Sequence, residues 1–391
     1  MWLPKSAQEV EAVASAGDLE EGPALDAKRE LDREGWKLAV DVAAMSTDGG
    51  VIIVGLDEDA NKRLTVPTPF ALANVEERIA AIVGSGIAEA PYIDIRPLPL
   101  DNGTGYMLIH VPMSPRAPHQ EIAKGKAEGR FYGRYGSLNR ILNEADIARL
   151  YERRQRWQVN GHEELAKLLA ADPPHALEPG RGYLQAFAYP VMPDLAMWER
   201  ATGAAGDAGQ LRAQMALAAR SAAPGNYSPT LHEAVNWVRV GGDVWALDTD
   251  YGERPYGGVR VEIEVNGRGQ LFMARAADSD PRHAGGELIM WEAMIAGNLA
   301  SFLAMMGRFY DLAGYFGPVS IGLSVHGIQG AKTSSGRRGF LGDGRPYGKP
   351  DFTRVHTAGA AVELHDARPF ALGLVQNLID ASAYEGYDPL G

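Results

Sequence analysis

Residues 51–56 read Val-Ile-Ile-Val-Gly-Leu, an unbroken apolar run with Asp48-Gly49-Gly50 before it and Asp57-Glu58-Asp59 after it. A strand that met water on one side would alternate. A continuous run between turn signals predicts a central strand buried on both faces. The fold must therefore place a cover on each side of this strand.

The flanking sequence supplies the covers. Residues 1–16 predict a short amphipathic helix with Val10 and Val13 as its apolar face, ended by Gly17. Gly22-Pro23 predicts a turn. Residues 24–29 then alternate as a strand that places Asp26 and Lys28 on one face. Trp36, Val40 and Ala43/Ala44 recur at helical spacing over 33–45. Asn74 is a fitting N-cap for a helix over 74–83, with Glu76 and Glu77 in its first turn. Strands are expected over 93–98 and 106–111, joined at Asp101-Asn102-Gly103, and over 130–135. Residues 112–128 read as a loop. Residues 144–157 read as a helix with Ile147, Leu150 and Tyr151 inward. This order makes an α+β sandwich rather than a repeating βα wheel.

At 391 residues the chain is long for one core. Pro173, Pro174, Pro179 and Gly180 mark a linker with one small helix over 158–182, between a first domain at 1–157 and a second at 183–391. The second half also reads as α+β. It offers a strand over 183–189, a helix over 207–222 and a hairpin over 259–274 turned at Asn266-Gly267. An apolar helix over 287–308, a strand over 319–326, a Gly-rich basic stretch over 327–354, a strand over 360–364 and a helix over 369–382 follow. The apolar helix carries Glu287, Glu292 and Arg308, which leaves too short an uncharged stretch to span a bilayer. It reads as a buried or dimer-forming helix, so a homo-oligomer and no membrane association are expected.

The chain has no cysteine, which excludes disulfides, zinc ribbons and thiol nucleophiles. Its first residues lack the apolar core of a signal peptide, and a cytoplasmic setting is expected. The net charge is −12, so any nucleic acid must be held on a local basic patch of an acidic body.

Two groups of residues could carry chemistry. Glu21 and Asp26 straddle the Gly-Pro turn, and Asp57, Glu58 and Asp59 follow the central strand. Hard oxygen donors of this kind suit Mg²⁺ or Mn²⁺, which can polarise a phosphoryl oxygen and generate hydroxide from water. Against that, acids at a strand end usually just face water. The second group is basic. Residues 116–156 hold ten bases against five acids, with Phe131, Tyr132 and Tyr135 among the arginines. Aromatics there can stack on bases while arginines hold phosphates; the plainer reading is a solvated helix face. Other motifs fail. Gly330-Ala331-Lys332-Thr333 lacks the Gly-Lys-Thr junction of a phosphate loop, and Gly322-Leu323-Ser324-Val325-His326 lacks the second glycine of a nucleophile elbow. Nine histidines show no metal spacing, and His110 reads as a packed residue.

Four segments, in order, resemble the Schlafen AlbA-type domain. They are EGPALDAKRE (Glu21 to Glu30), AAMSTDGG (Ala43 to Gly50), VIIVGLDED (Val51 to Asp59) and RFYGRYGSLNR (Arg130 to Arg140). The resemblance covers about the first 155 residues. It implies a domain acting on nucleic acid, with RNA favoured over DNA. Nuclease members use three acids for metal-dependent cleavage of transfer and ribosomal RNA. By position these match Glu21, Asp26 and Glu58, with Asp57 as a stand-in for Glu58. The resemblance thus implies a metal-dependent endoribonuclease with Mg²⁺ or Mn²⁺ on Glu21, Asp26 and Glu58, and with Lys28, Arg130, Tyr132, Arg134 and Arg140 on the nucleic acid. A role in phage defence is compatible with this and demanded by none of the residues. The alternative is a non-catalytic DNA-binding transcriptional regulator with a C-terminal sensor or dimerisation domain.

Overall fold

The computed structural model describes residues 2–17, 19–101, 103–123, 129–171, 180–222, 236–241, 244–248, 258–279, 286–334, 345–358 and 360–381. The chain is α+β and divides into two compact units, Met1–Trp157 and Gln158–Gly391.

Unit 1 is organised around the apolar run. Helix α1 (Ala7–Ala16) leads to β1 (Leu25–Lys28), α2 (Trp36–Met45) and β2 (Gly50–Val54). Then come β3 (Leu56–Glu58), β4 (Leu64–Pro67), β5 (Phe70–Ala71), α3 (Val75–Gly86) and β6 (Ile87–Ala88). Strands β7 (Asp94–Pro99), β8 (Thr104–Val111), β9 (Gln120–Glu121), β10 (Arg130–Tyr135) and β11 (Leu138–Ile141) precede α4 (Glu144–Ala170). Strand β2 lies between β1, parallel to it, and β8, antiparallel to it. All five of its residues are buried, as a central strand requires. Ile52 and Val54 pack under α2 and α3 with Leu38, Val42 and Ile79. Val51 and Ile53 pack on the other face against Ala7, Val10 and Ala14 of α1. Burying such a side chain contributes about 1.5–3 kcal/mol, so the two covers account for the unbroken pattern.

Apart from Lys37 and Asp41, helix α2 is apolar, and it is buried from Leu38 to Met45 because two layers sandwich it. Its inner side meets β2, while Val40 and Ala44 on its outer side meet Tyr132 of β10. Strands β6, β9, β10 and β11 form a separate four-stranded sheet with β11 at its edge. Asn74 sits at φ 60 and makes no side-chain cap, so the expected N-cap hydrogen bond is absent. Gly55, at φ +101, bends the chain after β2, and β3 pairs with β4 in a two-stranded ribbon apart from the main sheet. Asp57 and Glu58 therefore lie on ribbon strand β3, with Asp59 just after it, rather than at a central strand end.

Helix α4 runs to Ala170, past the end at Trp157 that the sequence implied. The expected linker over 158–182 is thus helical in its first half; Pro173, Pro174 and Pro179 lie outside the described residues. Leu165 and Leu169 explain the extension: both are buried, in a cluster with Phe187.

Unit 2 is a second α+β body. It contains β12 (Arg181–Pro190), α5 (Met197–Ala205), α6 (Ala208–Ala222), β13 (Asn236–Gly241), β14 (Val244–Asp248), β15 (Val259–Glu264) and β16 (Gly269–Ser279). Strand β17 (Leu288–Met290), α7 (Glu292–Ala313), β18 (Val319–His326), β19 (Lys332–Thr333), β20 (Phe352–Ala358) and α8 (Ala367–Asp380) complete it. Its main sheet runs β13-β14-β15-β16-β12-β18-β20. The apolar helix expected over 287–308 begins only at Glu292, because Leu288–Met290 pair with β16 and β19. It is buried along most of its length, among residues of α5, α6 and α8. Its apolar surface is used inside the unit, not offered to a second copy. Residues 361–366 form a 3-10 turn instead of the expected strand. Among the described residues, no helix is long and apolar enough to cross a membrane.

Candidate functional site

Strand β1 places Asp26 and Lys28 on the face that meets α2. Lys28 Nζ lies 3.0 Å from Asp26 and 2.6 Å from Asp41 of α2. Arg134 of β10 reaches in from the outer layer and donates to Asp26 Oδ1 at 2.7 Å. It also donates to Asn139 at 3.2 Å and to the carbonyls of Gly22 and Leu25, both at 3.4 Å. Asn139 Nδ2 in turn donates to Asp41 at 2.5 Å. The result is a buried network of two acids, two bases and an amide that fastens the β10–β11 hairpin to β1 and α2. Burial pushes the Asp41 carboxyl above the usual carboxylate range, with Lys28 pulling it back. Burial opposes the charge on Lys28, but Asp41 and Asp26 outweigh it and hold the ammonium above its ordinary value.

Glu21 stands beside this network. Its Oε1 accepts the Ala27 N–H at 2.9 Å. Burial raises its pKa; the Ala27 bond opposes that rise, and the charges of Asp26 and Glu58 add to it. Glu21, Asp26 and Glu58 therefore share one electrostatic neighbourhood. They do not fit a divalent cation. The two oxygens of Asp26 face Arg134 and Lys28, and Glu58 pairs with Lys62 at 2.8 Å. Asp57 caps the Glu58 N–H at 2.9 Å. Among the described residues, no group of three or more histidine or carboxylate side chains is gathered to hold a metal.

The basic residues divide in the same way. Arg134 is 5% exposed in its side chain, and Lys28 24%. Both serve the network, not a phosphate. Tyr132 is buried against Val40 and Ala44 and has no free face for a base. Arg130 and Arg140 are exposed. Lys124 and Lys126 lie outside the described residues.

A cleft of about 340 Å³ opens between the hairpin, the start of α4 and the turn after α2. Arg140, Arg149 and Arg153 line it, with Thr47, Asp48, Tyr135, Leu142, Asp146 and Leu150. Asp146 accepts from Arg140 at 2.5 Å and also from Arg149. Burial works to raise the Asp146 pKa, but these two guanidinium groups hold it below the usual range. Arg153 donates to the Thr47 carbonyl at 2.5 Å and to Asp48 at 3.0 Å. Tyr135 stands at the lip, 74% exposed. Each guanidinium has five N–H donors, so these ion pairs orient the arginines and leave donors for an anion. The charge count over 116–156 pointed to this stretch, but sequence could not say which arginines are inward. Thr47 carried no sequence signal beyond its place in AAMSTDGG.

Residues 21–143 match the family model described as Schlafen, AlbA_2. No curated protein and no solved structure matches the chain. Residues 21–143 therefore resemble a Schlafen AlbA_2 domain, a resemblance that points the first unit toward nucleic acid.

Proposed function

We propose that unit 1 is a nucleic-acid-binding module that holds phosphates on Arg140, Arg149 and Arg153 and stacks a base on Tyr135. The observation that carries this reading is the exposed Tyr135 ring at the lip of a cleft lined by three oriented arginines. An aromatic face among guanidinium groups suits unpaired bases, which RNA loops present, so RNA is favoured over DNA. Unit 2 would serve as the partner- or signal-binding half.

The test is fluorescence anisotropy of labelled tRNA and of a DNA duplex against the full chain at rising salt. Affinity should fall log-linearly with salt. The Arg140→Ala/Arg149→Ala/Arg153→Ala variant should lose roughly 0.7 of slope per arginine on single strands. Unchanged slope in the variant sinks the cleft as the interface.

Metal-dependent RNA cleavage by Glu21, Asp26 and Glu58 is the second reading, favoured only by their shared electrostatic neighbourhood. It requires Asp26 to leave Arg134 and Lys28. Incubating tRNA with the protein in Mn²⁺ or EDTA, beside Glu21→Gln and Glu58→Gln, decides it. Cleavage in Mn²⁺ by the wild type alone supports the nuclease; intact RNA in every lane leaves the binding module.

A further inference from the structure

Resting on the nucleic-acid reading, we infer that the cleft seats one unstacked nucleotide, so that the ligand is single-stranded or looped nucleic acid and not a duplex. Three observations converge on this.

The first is an unmet polar group. Thr47 is 7% exposed and its Oγ1 is buried without a hydrogen-bond partner, on the wall of the cleft. A buried hydroxyl without a partner is costly and calls for one. The Arg153 guanidinium lies against the carbonyl of the same residue. If the Thr47 side chain turns its hydroxyl into the cleft, a phosphate oxygen placed there would accept from it and from Arg153 together. Asp48, also paired with Arg153, is the opposing charge, and its side chain is 75% exposed.

The second is the chemistry of the walls. Leu142 and Leu150 are half-buried and face the same space as the arginines. A site for backbone alone has no use for apolar walls, whereas a base needs them. Tyr135 at the lip supplies the stacking face.

The third is size. A cavity of about 340 Å³ sits at the lower end of the range that encloses a small ligand, which suits one nucleotide and not a base pair. A base can enter only if it is out of its stack.

The experiment titrates the full chain against a labelled single-stranded RNA and against the same strand annealed to its complement. The variants are Thr47→Val, Thr47→Ser and Tyr135→Ala. The single strand should bind at least about tenfold tighter than the duplex. Thr47→Val should weaken the single strand by about fivefold and leave the duplex unchanged, and Thr47→Ser should restore binding. Tyr135→Ala should weaken the single strand by at least about fivefold. Equal binding of both forms, with Thr47→Val silent, overturns the nucleotide seat while the phosphate-binding cleft stands. Binding of neither form overturns the nucleic-acid reading itself.

Discussion

Arg134 donates to Asp26 at 2.7 Å across two layers of unit 1, and both side chains are buried. The strand that carries Asp26 lies under α2, and the hairpin that carries Arg134 lies over it. With Lys28 and Asp41 the pair forms a charged bolt through the domain. Removing one partner of a buried ion pair strands the other without compensation. Arg134→Ala should therefore destabilise unit 1 by about 3–5 kcal/mol. Arg140→Ala, whose side chain is 55% exposed, should cost less than about 1 kcal/mol. Urea unfolding of the two variants checks this. Similar midpoints for both would mean that the buried network contributes little.

His110 and His119 give unit 1 a pH dependence. Burial is the main cause that holds each imidazole down to about 4, from an ordinary value of 6.5. Residue exposures of 4% and 1% agree with that cause. A group depressed in the folded state binds its proton more readily when unfolded. Its stabilisation is therefore complete above pH 6.5 and lost as pH falls toward 4. Each histidine corresponds to roughly 3 kcal/mol over that window. Hydrogen exchange over residues 104–119 should accelerate between pH 6.5 and 4.5 beyond the intrinsic trend. His119→Gln should remove about half of the acceleration. An identical pH profile in that variant would show that the fold does not depress the His119 pKa.

The core of unit 1 was legible because period and burial leave a direct trace. The apolar run at 51–56 announced a strand with two covers, although the strand ends at Val54 and Leu56 opens the ribbon, and the spacing of Trp36, Val40 and Ala44 announced α2. The alternation at 24–29 placed Asp26 and Lys28 on one face, where the structure has them. What alternation could not show is what that face meets. Asp41 lay unremarked within a helical pattern, and Arg134 looked like any arginine in a basic run. Arg134 pairs with Asp26 across 108 residues of chain, and Asp41 pairs with Lys28 and Asn139. The same long-range packing turned expected phosphate ligands into structural ties and left Arg149 and Arg153 to face the cleft. In unit 2, periodicity found the hairpin at 259–274 but merged β17 into α7. An apolar triplet before an apolar helix has no internal boundary.

Packing explains the glycine pair at 49–50. Gly49 has φ +84. A Cβ on Gly50 would lie 2.6 Å from the Met45 side chain and 3.0 Å from the Ala24 carbonyl. The backbone oxygen belongs to the segment entering β1 and cannot yield cheaply. Gly50→Ala should cost about 1–3 kcal/mol, with no change in nucleic-acid affinity for the folded fraction. A loss of affinity at unchanged stability would instead place the glycine pair at a phosphate contact. Thermal unfolding alongside the anisotropy titration separates the two.

Ser324, His326 and Asp351 reproduce the order of a nucleophile, a base and an acid. Ser324 Oγ lies 2.6 Å from His326 Nε2, and His326 Nδ1 lies 3.1 Å from Asp351. A catalytic triad needs more than this chain of contacts. The nucleophile must be reachable, yet Ser324 is 1% exposed, while the Asp351 side chain is 45% exposed. That gradient is the reverse of one that shelters the acid and presents the hydroxyl. Ser324 also shares its hydroxyl with Thr353 at 3.2 Å, directly across the β18–β20 register. Tyr183 stacks on the His326 ring at 4.7 Å from the neighbouring strand. The three residues thus tie β12, β18 and the entry to β20 together. A fluorophosphonate reagent should leave the native protein unlabelled, and Ser324→Ala should lower stability by about 1 kcal/mol. Stoichiometric labelling at Ser324, abolished by His326→Gln, would instead make this corner of unit 2 a hydrolytic site.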